Sequence, residues 1–134
     1  MFLVVKRATL LIPSGPVSDL NRKHLFICLT DCYGADKETL IVSVASYRAG
    51  LPADLTCKLF AGDHPFLKHD SYVDYGNARI VTADKLRNGI KLDFFVPKEP
   101  LETSIFARVC YGLEQSLRTT NKNREFDLLA TGRQ

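Results

Sequence analysis

The sequence predicts a mainly β fold, a small β-barrel with a C-terminal α-helix. Two observations carry this prediction. The first 96 residues contain several short runs of β-branched and aliphatic residues separated by turn residues, which is the pattern of a small barrel or sandwich. Later in the chain, apolar residues recur at every fourth position from Leu101 to Leu117, which indicates one amphipathic helix. Such a helix can cover the open end or the exposed edge of an antiparallel barrel.

The predicted strands are bounded by residues that favour turns. The first begins at Val4 and ends where Pro13 opens a Pro-Ser-Gly-Pro sequence. The Gly76-Asn77 pair predicts a turn between the fifth and sixth strands. In chain order, the predicted strands cover residues 4–12, 25–30, 39–46, 56–60, 71–75, 78–81 and 90–96.

A single helical turn is predicted before the last strand, over residues 82–89. Thr82 can cap its first turn, since its hydroxyl can accept a hydrogen bond from a backbone N–H. Gly89 can adopt the left-handed conformation that ends many helices.

The longer predicted helix covers residues 100–118, and Pro100 suits its first turn. Gly112 is its weak point, because glycine costs a helix interior up to ~1 kcal/mol relative to alanine. Residues 119–134 are polar and are predicted to form a loose C-terminal tail. The chain is therefore expected to form one domain over residues 1–118, followed by that tail.

Composition places the chain among ordinary soluble proteins. The 134 residues are 46% hydrophobic and 25% charged, and the net charge of +3 is compatible with an anionic partner. No run approaches the ~18 to 20 apolar residues of a membrane span, and Lys6-Arg7 interrupts the short apolar run at the N-terminus. We therefore expect a cytoplasmic protein without a membrane partner.

We expect no secretory signal, so the four cysteines do not predict a disulfide framework. Cys28 and Cys110 stand among apolar neighbours and are expected to act as small buried hydrophobic residues. Cys28 and Cys32 are too widely spaced for a zinc knuckle, and no second pair follows.

Residues 57–72 concentrate reactive side chains. They include Cys57, His64, His69 and Tyr72 within sixteen positions. Histidine can transfer protons near neutral pH or bind a metal ion as neutral imidazole. The segment is therefore the first candidate for a functional site.

Several local features lie in the same order as in a known protein family. Arg22 precedes the apolar run at residues 25–29, and the third predicted strand ends at Ser46. A strand at residues 78–81 leads directly into a short helix. With these features, residues 4–118 resemble the MazF/PemK-like toxins, SH3-like barrels that cleave RNA in bacterial toxin–antitoxin pairs. The chain departs from that family at Lys23, where proline is usual, and in the histidine-rich segment.

The resemblance implies a metal-independent endoribonuclease that acts on single-stranded RNA. It also implies a homodimer and a cognate antitoxin protein that covers the RNA groove. By position, Arg22 and Ser46 would lie together in the catalytic pocket.

Metal-free RNA cleavage needs a base, an acid and a cation that stabilises the phosphorane. His64 and His69 are the candidate acid and base. Arg22 or Arg48 can clamp the phosphate, and Ser46 or Tyr72 can orient one of its oxygens. The other candidate RNA-binding residues are Phe66 and Tyr72, which can stack on bases, and Lys23, Arg48 and Lys68, which can contact the backbone.

Zinc binding is one alternative, because zinc accepts mixed cysteine and histidine ligands. The candidate ligands are Cys57, His64 and His69, with Asp63, Asp70 or Cys32 as the fourth.

A non-enzymatic SH3-like module that binds protein or nucleic acid is another alternative. Its candidate groove aromatics are Phe66, Tyr72, Tyr75 and Tyr47. A local explanation also exists for His64, because the residue before a proline commonly lies in a turn.

Overall fold

The computed structural model describes residues 2–14 and 22–133. It is mainly β, with a curled antiparallel sheet that forms half of a barrel and with helices of which the last is C-terminal, so the predicted fold class is confirmed. The strands are β1 Thr9–Pro13, β2 Lys23–Cys28, β3 Glu38–Ser46, β4 Lys58–Leu59, β5 Ser71–Thr82 and β6 Val96–Lys98. The helices are α1 Ala83–Lys91, α2 Thr103–Gln115 and α3 Asn121–Thr131. The strand order is β4-β5-β3-β2-β1-β6.

Side chains alternate between the two faces of the sheet along each strand, and an apolar cluster covers each face. On β3, Leu40 and Val42 belong to a cluster that includes Val109 of α2 and Phe126 of α3. Ile41 points to the opposite face and belongs to a second cluster, which α1 covers. Among the described residues, no helix is both long enough and apolar enough to cross a membrane.

The predicted turn at Gly76-Asn77 was wrong, because β5 runs without interruption through these positions. Its pairing with β3 contains a large bulge. Between the pairs Ile41–Arg79 and Ser43–Asp74, β3 advances by two residues and β5 by five. Gly76 and Asn77 are therefore among the extra residues of a β-bulge in β5, and they do not form a turn between two strands.

The bulge is anchored in the core by Tyr75, whose side chain is fully buried. Its hydroxyl donates a 2.6 Å hydrogen bond to the carbonyl oxygen of Val109 on α2. A Cβ atom at Gly112 would lie 2.1 Å from that hydroxyl oxygen. Gly112 thus lets α2 approach the bulge, which explains why the helix contains a residue of low helix propensity.

Helix α1 begins as predicted but ends later. The Thr82 hydroxyl accepts a hydrogen bond from the Lys85 N–H. Gly89 is not the helix end, since α1 continues to Lys91. Gly89 instead makes room for Phe95, because a Cβ there would lie 2.1 Å from the phenyl ring.

The polar segment after α2 is not a loose tail, because it contains α3. Thr120 caps this helix by accepting a hydrogen bond from the Asn123 N–H. The Asn123 side chain donates to the Ala78 carbonyl oxygen at 2.9 Å, and Phe126 packs edge-on against Tyr33. The helix ends at Gly132, whose φ of 72° is left-handed.

We predict that Gly112→Ala destabilises the protein by about 2 kcal/mol, because the added methyl group overpacks the contact with Tyr75. An alanine in an unobstructed helix would be stabilising, so the sign of the change is diagnostic. Urea unfolding of the single variants and of Gly112→Ala combined with Tyr75→Phe measures the coupling. Additive effects, or a stabilising Gly112→Ala, would contradict the contact.

Candidate functional site

Three neighbouring strands bring separate parts of the chain to the same end of the sheet. The antiparallel register pairs Leu25 with Val44 and Ser46 with Ser71. The beginning of β2, the end of β3 and the beginning of β5 are therefore adjacent. Residues 22–24 consequently lie near Ser46, although more than twenty positions separate them in sequence.

A cleft of about 870 Å³ opens at this end of the sheet. We refer to it as the cleft. Its walls are formed by residues from segments 22–24, 44–51, 65–71 and 98–99. The segment between β4 and β5 thus contributes one wall, opposite the strand ends.

The loop of residues 60–70 is held in a compact shape by its own hydrogen bonds. Gly62 adopts a left-handed φ of 93°, which few other residues tolerate. The Asp63 carboxylate accepts a hydrogen bond from the Phe60 N–H at 2.9 Å and lies 3.8 Å from the Arg108 guanidinium. Asp63 therefore shapes the loop.

His64 is buried, with only 2% of its surface exposed, and is not among the residues that line the cleft. Its Nδ1 accepts a hydrogen bond from the Phe66 N–H at 3.0 Å. The proton therefore resides on Nε2, which donates to the Glu99 carbonyl oxygen at 2.7 Å and lies 3.2 Å from the Thr9 hydroxyl oxygen. With both nitrogens engaged, His64 positions the loop, and we do not retain it among the candidate acid and base groups.

The cleft is rich in positive charge. Among the residues that the structure describes, its lining includes five basic side chains and one carboxylate, that of Glu99. The ion pairs found within residues 2–14 and 22–133 lie elsewhere, at Asp84, Asp63 and the C-terminal helix. The basic residues are Arg22, Lys23, Arg48, Lys68 and Lys98. This arrangement favours an anionic ligand.

Most of the predicted site residues come together in the cleft. Ser46 and His69 are exposed there, and 38% of the Phe66 residue surface is exposed. Seven of the predicted residues line it, namely Arg22, Lys23, Ser46, Arg48, Phe66, Lys68 and His69. Tyr72 does not; it lies on β5, paired with Ala45 on one side and Lys58 on the other.

Sequence reasoning missed His24, which lines the cleft beside Arg22. Burial, together with the positive charge of Arg22, lowers the pKa of His24, while Asp74 opposes this effect. The Ser14 hydroxyl contacts its Nδ1. The alternation of side chains along β2 could have indicated His24, because it is the polar residue at the start of the face that also carries Phe26.

The residues proposed for zinc lie in different surroundings. Cys57 is buried near Tyr75 and Arg108, and burial raises the pKa of its thiol. His64 bonds to backbone, and His69 faces the cleft. In the part of the chain that the structure describes, no group of three or more His, Cys, Asp or Glu side chains could hold a metal ion.

Tyr75 also lies away from the cleft, in the core, so it is not a groove aromatic. Two other thiols, those of Cys28 and Cys110, are also poorly suited to act as nucleophiles. Burial raises the pKa of Cys28 to about 12 and that of Cys110 to about 11. Both remain protonated near neutral pH.

No family model, curated protein or solved structure matches this chain significantly. Its function is therefore inferred from the cleft.

We predict that His64→Ala lowers the free energy of unfolding by about 3 kcal/mol, because it leaves a cavity and removes the acceptor of the Phe66 N–H. His69→Ala is the matched control, since an exposed histidine should change stability by less than about 0.5 kcal/mol. Urea unfolding of both variants makes the comparison. Equal, small losses would mean that His64 does not hold the loop.

Proposed function

We propose that this protein binds single-stranded RNA in the cleft and cleaves it without a metal ion. The observation that carries the proposal is the convergence of basic, aromatic and histidine side chains from four distant segments on one cleft. The chemistry that each contributes is different, and together they match the requirements of the reaction.

The basic side chains supply affinity for the phosphate backbone. Lys23 and Lys68 come from different segments of the cleft wall, so that a bound strand would meet positive charge on more than one side. Arginine at positions 22 and 48 can bind phosphate oxygens through two parallel hydrogen bonds. Binding of this kind weakens as salt concentration rises, because it releases counterions.

Phe66 favours a single strand over a duplex. Phe66 is partly exposed and lines the cleft, where an unpaired base can stack on its ring. Bases inside a duplex are already stacked on their neighbours. The position of this ring depends on His64, whose Nδ1 accepts the hydrogen bond from the Phe66 N–H.

Cleavage requires proton transfer at two oxygens. In the proposed reaction, neutral His24 removes the proton of the ribose 2′-hydroxyl, and that oxygen attacks the adjacent phosphorus. His69 gives a proton to the departing 5′-oxygen, which leaves a 2′,3′-cyclic phosphate. The lowered pKa of His24 suits it to the role of base, because it is then neutral at physiological pH.

Arg22 and Ser46 act on the phosphate itself. The Arg22 guanidinium stabilises the extra negative charge of the phosphorane, and the Ser46 hydroxyl orients a phosphate oxygen. When the Nδ1–H of His24 donates a hydrogen bond to the Ser14 hydroxyl oxygen, the unprotonated nitrogen that can act as the base is Nε2.

The resemblance to the MazF/PemK-like toxins supports a biological role for this reaction. In that role the protein is a cytoplasmic toxin and a homodimer, and a cognate antitoxin neutralises it by covering the cleft. The catalytic residues that the resemblance implies are Arg22 and Ser46, and both line the cleft.

We predict that the purified protein cleaves a short unstructured RNA in the presence of EDTA. His24→Ala, His69→Ala and Arg22→Ala should each slow cleavage by about 100-fold, the range typical of losing an acid, a base or a charge-stabilising group. Arg87→Ala removes the same charge from the exposed face of α1 and should leave the rate unchanged. Gel analysis of the labelled RNA measures the rates.

Two outcomes would contradict this proposal. Wild-type rates in all three cleft variants would exclude the assigned residues. RNA binding without cleavage by the wild type would favour the non-enzymatic binding module instead.

We predict that expression of the wild type in bacteria arrests growth and fragments total RNA, whereas expression of His69→Ala does neither. His69 is exposed, so its replacement should leave the amount of folded protein unchanged. Growth curves and RNA gels, with immunoblots of both proteins, make the comparison. Normal growth with a protein that cleaves RNA in vitro would remove the toxin role and retain the nuclease.

A further inference from the structure

A second groove, of about 390 Å³, adjoins the cleft on the sheet face that carries Phe26. We refer to it as the bulge groove. Ser43, Asp74, Asn77 and Arg79 contribute to its lining. His24 and Ala45 line both the groove and the cleft, so the two spaces share a wall. A ligand that fills the cleft can therefore extend into the bulge groove.

The bulge in β5 creates this groove. Asp74 and Arg79 flank the inserted residues and pair with Ser43 and Ile41, which are only two positions apart on β3. The inserted Asn77 turns back and donates an amide hydrogen bond to the Asp74 carboxylate at 2.6 Å. Bulges commonly re-aim side chains in this way next to functional sites.

The groove is held in shape from both sides of the sheet. Tyr75, between Asp74 and the rest of the bulge, is fixed in the core by its bond to α2. On the groove side, the Arg79 guanidinium lies over the Phe26 ring, 5.0 Å from its centre. A ligand would thus meet a preformed set of polar groups.

The polar groups are unlike those of the cleft. The cleft presents mainly cations, whereas the bulge groove presents a carboxylate, an amide and a guanidinium, together with the shared His24 ring and the hydroxyls of Ser14 and Ser43. A carboxylate would repel a phosphate, so the groove does not simply continue the backbone-binding surface. It is suited to a nucleobase, whose edges carry both donors and acceptors.

Among the four RNA bases, guanine fits this set best. It has two adjacent donors, N1–H and the N2 amino group, which a carboxylate can accept together. Its O6 and N7 atoms are the acceptors that arginine binds most often. The other bases offer a carboxylate at most one such donor group.

We propose that the bulge groove binds a guanine base, with Asp74 accepting from N1 and N2 and Arg79 donating to the acceptor edge. This proposal rests on the proposed binding of RNA in the cleft. Since His24 belongs to both walls, the guanine occupies the nucleotide next to the phosphate that is cleaved. The groove then sets the sequence preference of the nuclease.

The test measures binding of short RNA oligomers with 2′-O-methyl ribose, which a 2′-hydroxyl mechanism cannot cleave. One oligomer is all uridine, and others carry one guanosine, adenosine, cytidine or inosine at its centre. The wild type should bind the guanosine oligomer about tenfold more tightly than the others. Inosine, which lacks the N2 amino group, should lose most of this gain.

Asp74→Asn should abolish the preference for guanosine and leave the affinity for the all-uridine oligomer unchanged. Asp36→Asn is the matched control, because it removes the same charge from an exposed loop. The inosine measurement needs no variant, so the test does not depend on the folding of Asp74→Asn. A preference for guanosine that persists in Asp74→Asn would overturn the proposal.

The two proposals fail in different ways. Binding of the all-uridine oligomer, with equal affinity for all four bases, would overturn the guanine site and leave the cleft as the RNA-binding surface. No binding of any oligomer by the wild type would overturn RNA binding in the cleft and the guanine site with it.

Discussion

The hydrogen bond from His64 Nε2 to the Glu99 carbonyl oxygen joins the two edges of the curled sheet. Glu99 follows β6, the edge strand on one side, and His64 lies in the loop after β4, the edge strand on the other. The Thr9 hydroxyl donates to the same carbonyl oxygen at 2.7 Å, so β1 also takes part. This junction ties the loop wall of the cleft to the opposite edge of the sheet, while a backbone hydrogen bond from the Tyr47 N–H to the Asp70 carbonyl oxygen anchors the end of the loop beside β3.

The cleft shows how a small sheet can bring basic, aromatic and histidine side chains from several segments onto one surface. Antiparallel neighbours bring alternate strand beginnings and ends to one side, so short segments far apart in sequence become adjacent. Positive charge accumulates at these ends, while the apolar clusters occupy the middle of the sheet. The charged groups therefore reach a ligand without having to be buried in the core.

Much of the fold, and most of the cleft, could be predicted from the sequence, because strand alternation and side-chain chemistry are local properties. The burial of His64 could not, since its partners at Thr9 and Glu99 are distant in sequence. Helix α3 escaped prediction for a similar reason: its buried Asn123 side chain donates to the Ala78 carbonyl oxygen, which is 45 positions away in sequence. The Gly76-Asn77 pair does break regular pairing, but whether it forms a turn or a bulge is decided by Tyr75 packing on α2.

The two edge strands limit how one molecule can associate with another. β4 has only two residues, and β6 has three, of which Pro97 has no N–H to donate. Exposed strand edges are the usual templates for uncontrolled sheet extension, and these two offer very little backbone to pair with. A partner that docked at either edge would therefore be held by side chains rather than by an extension of the sheet.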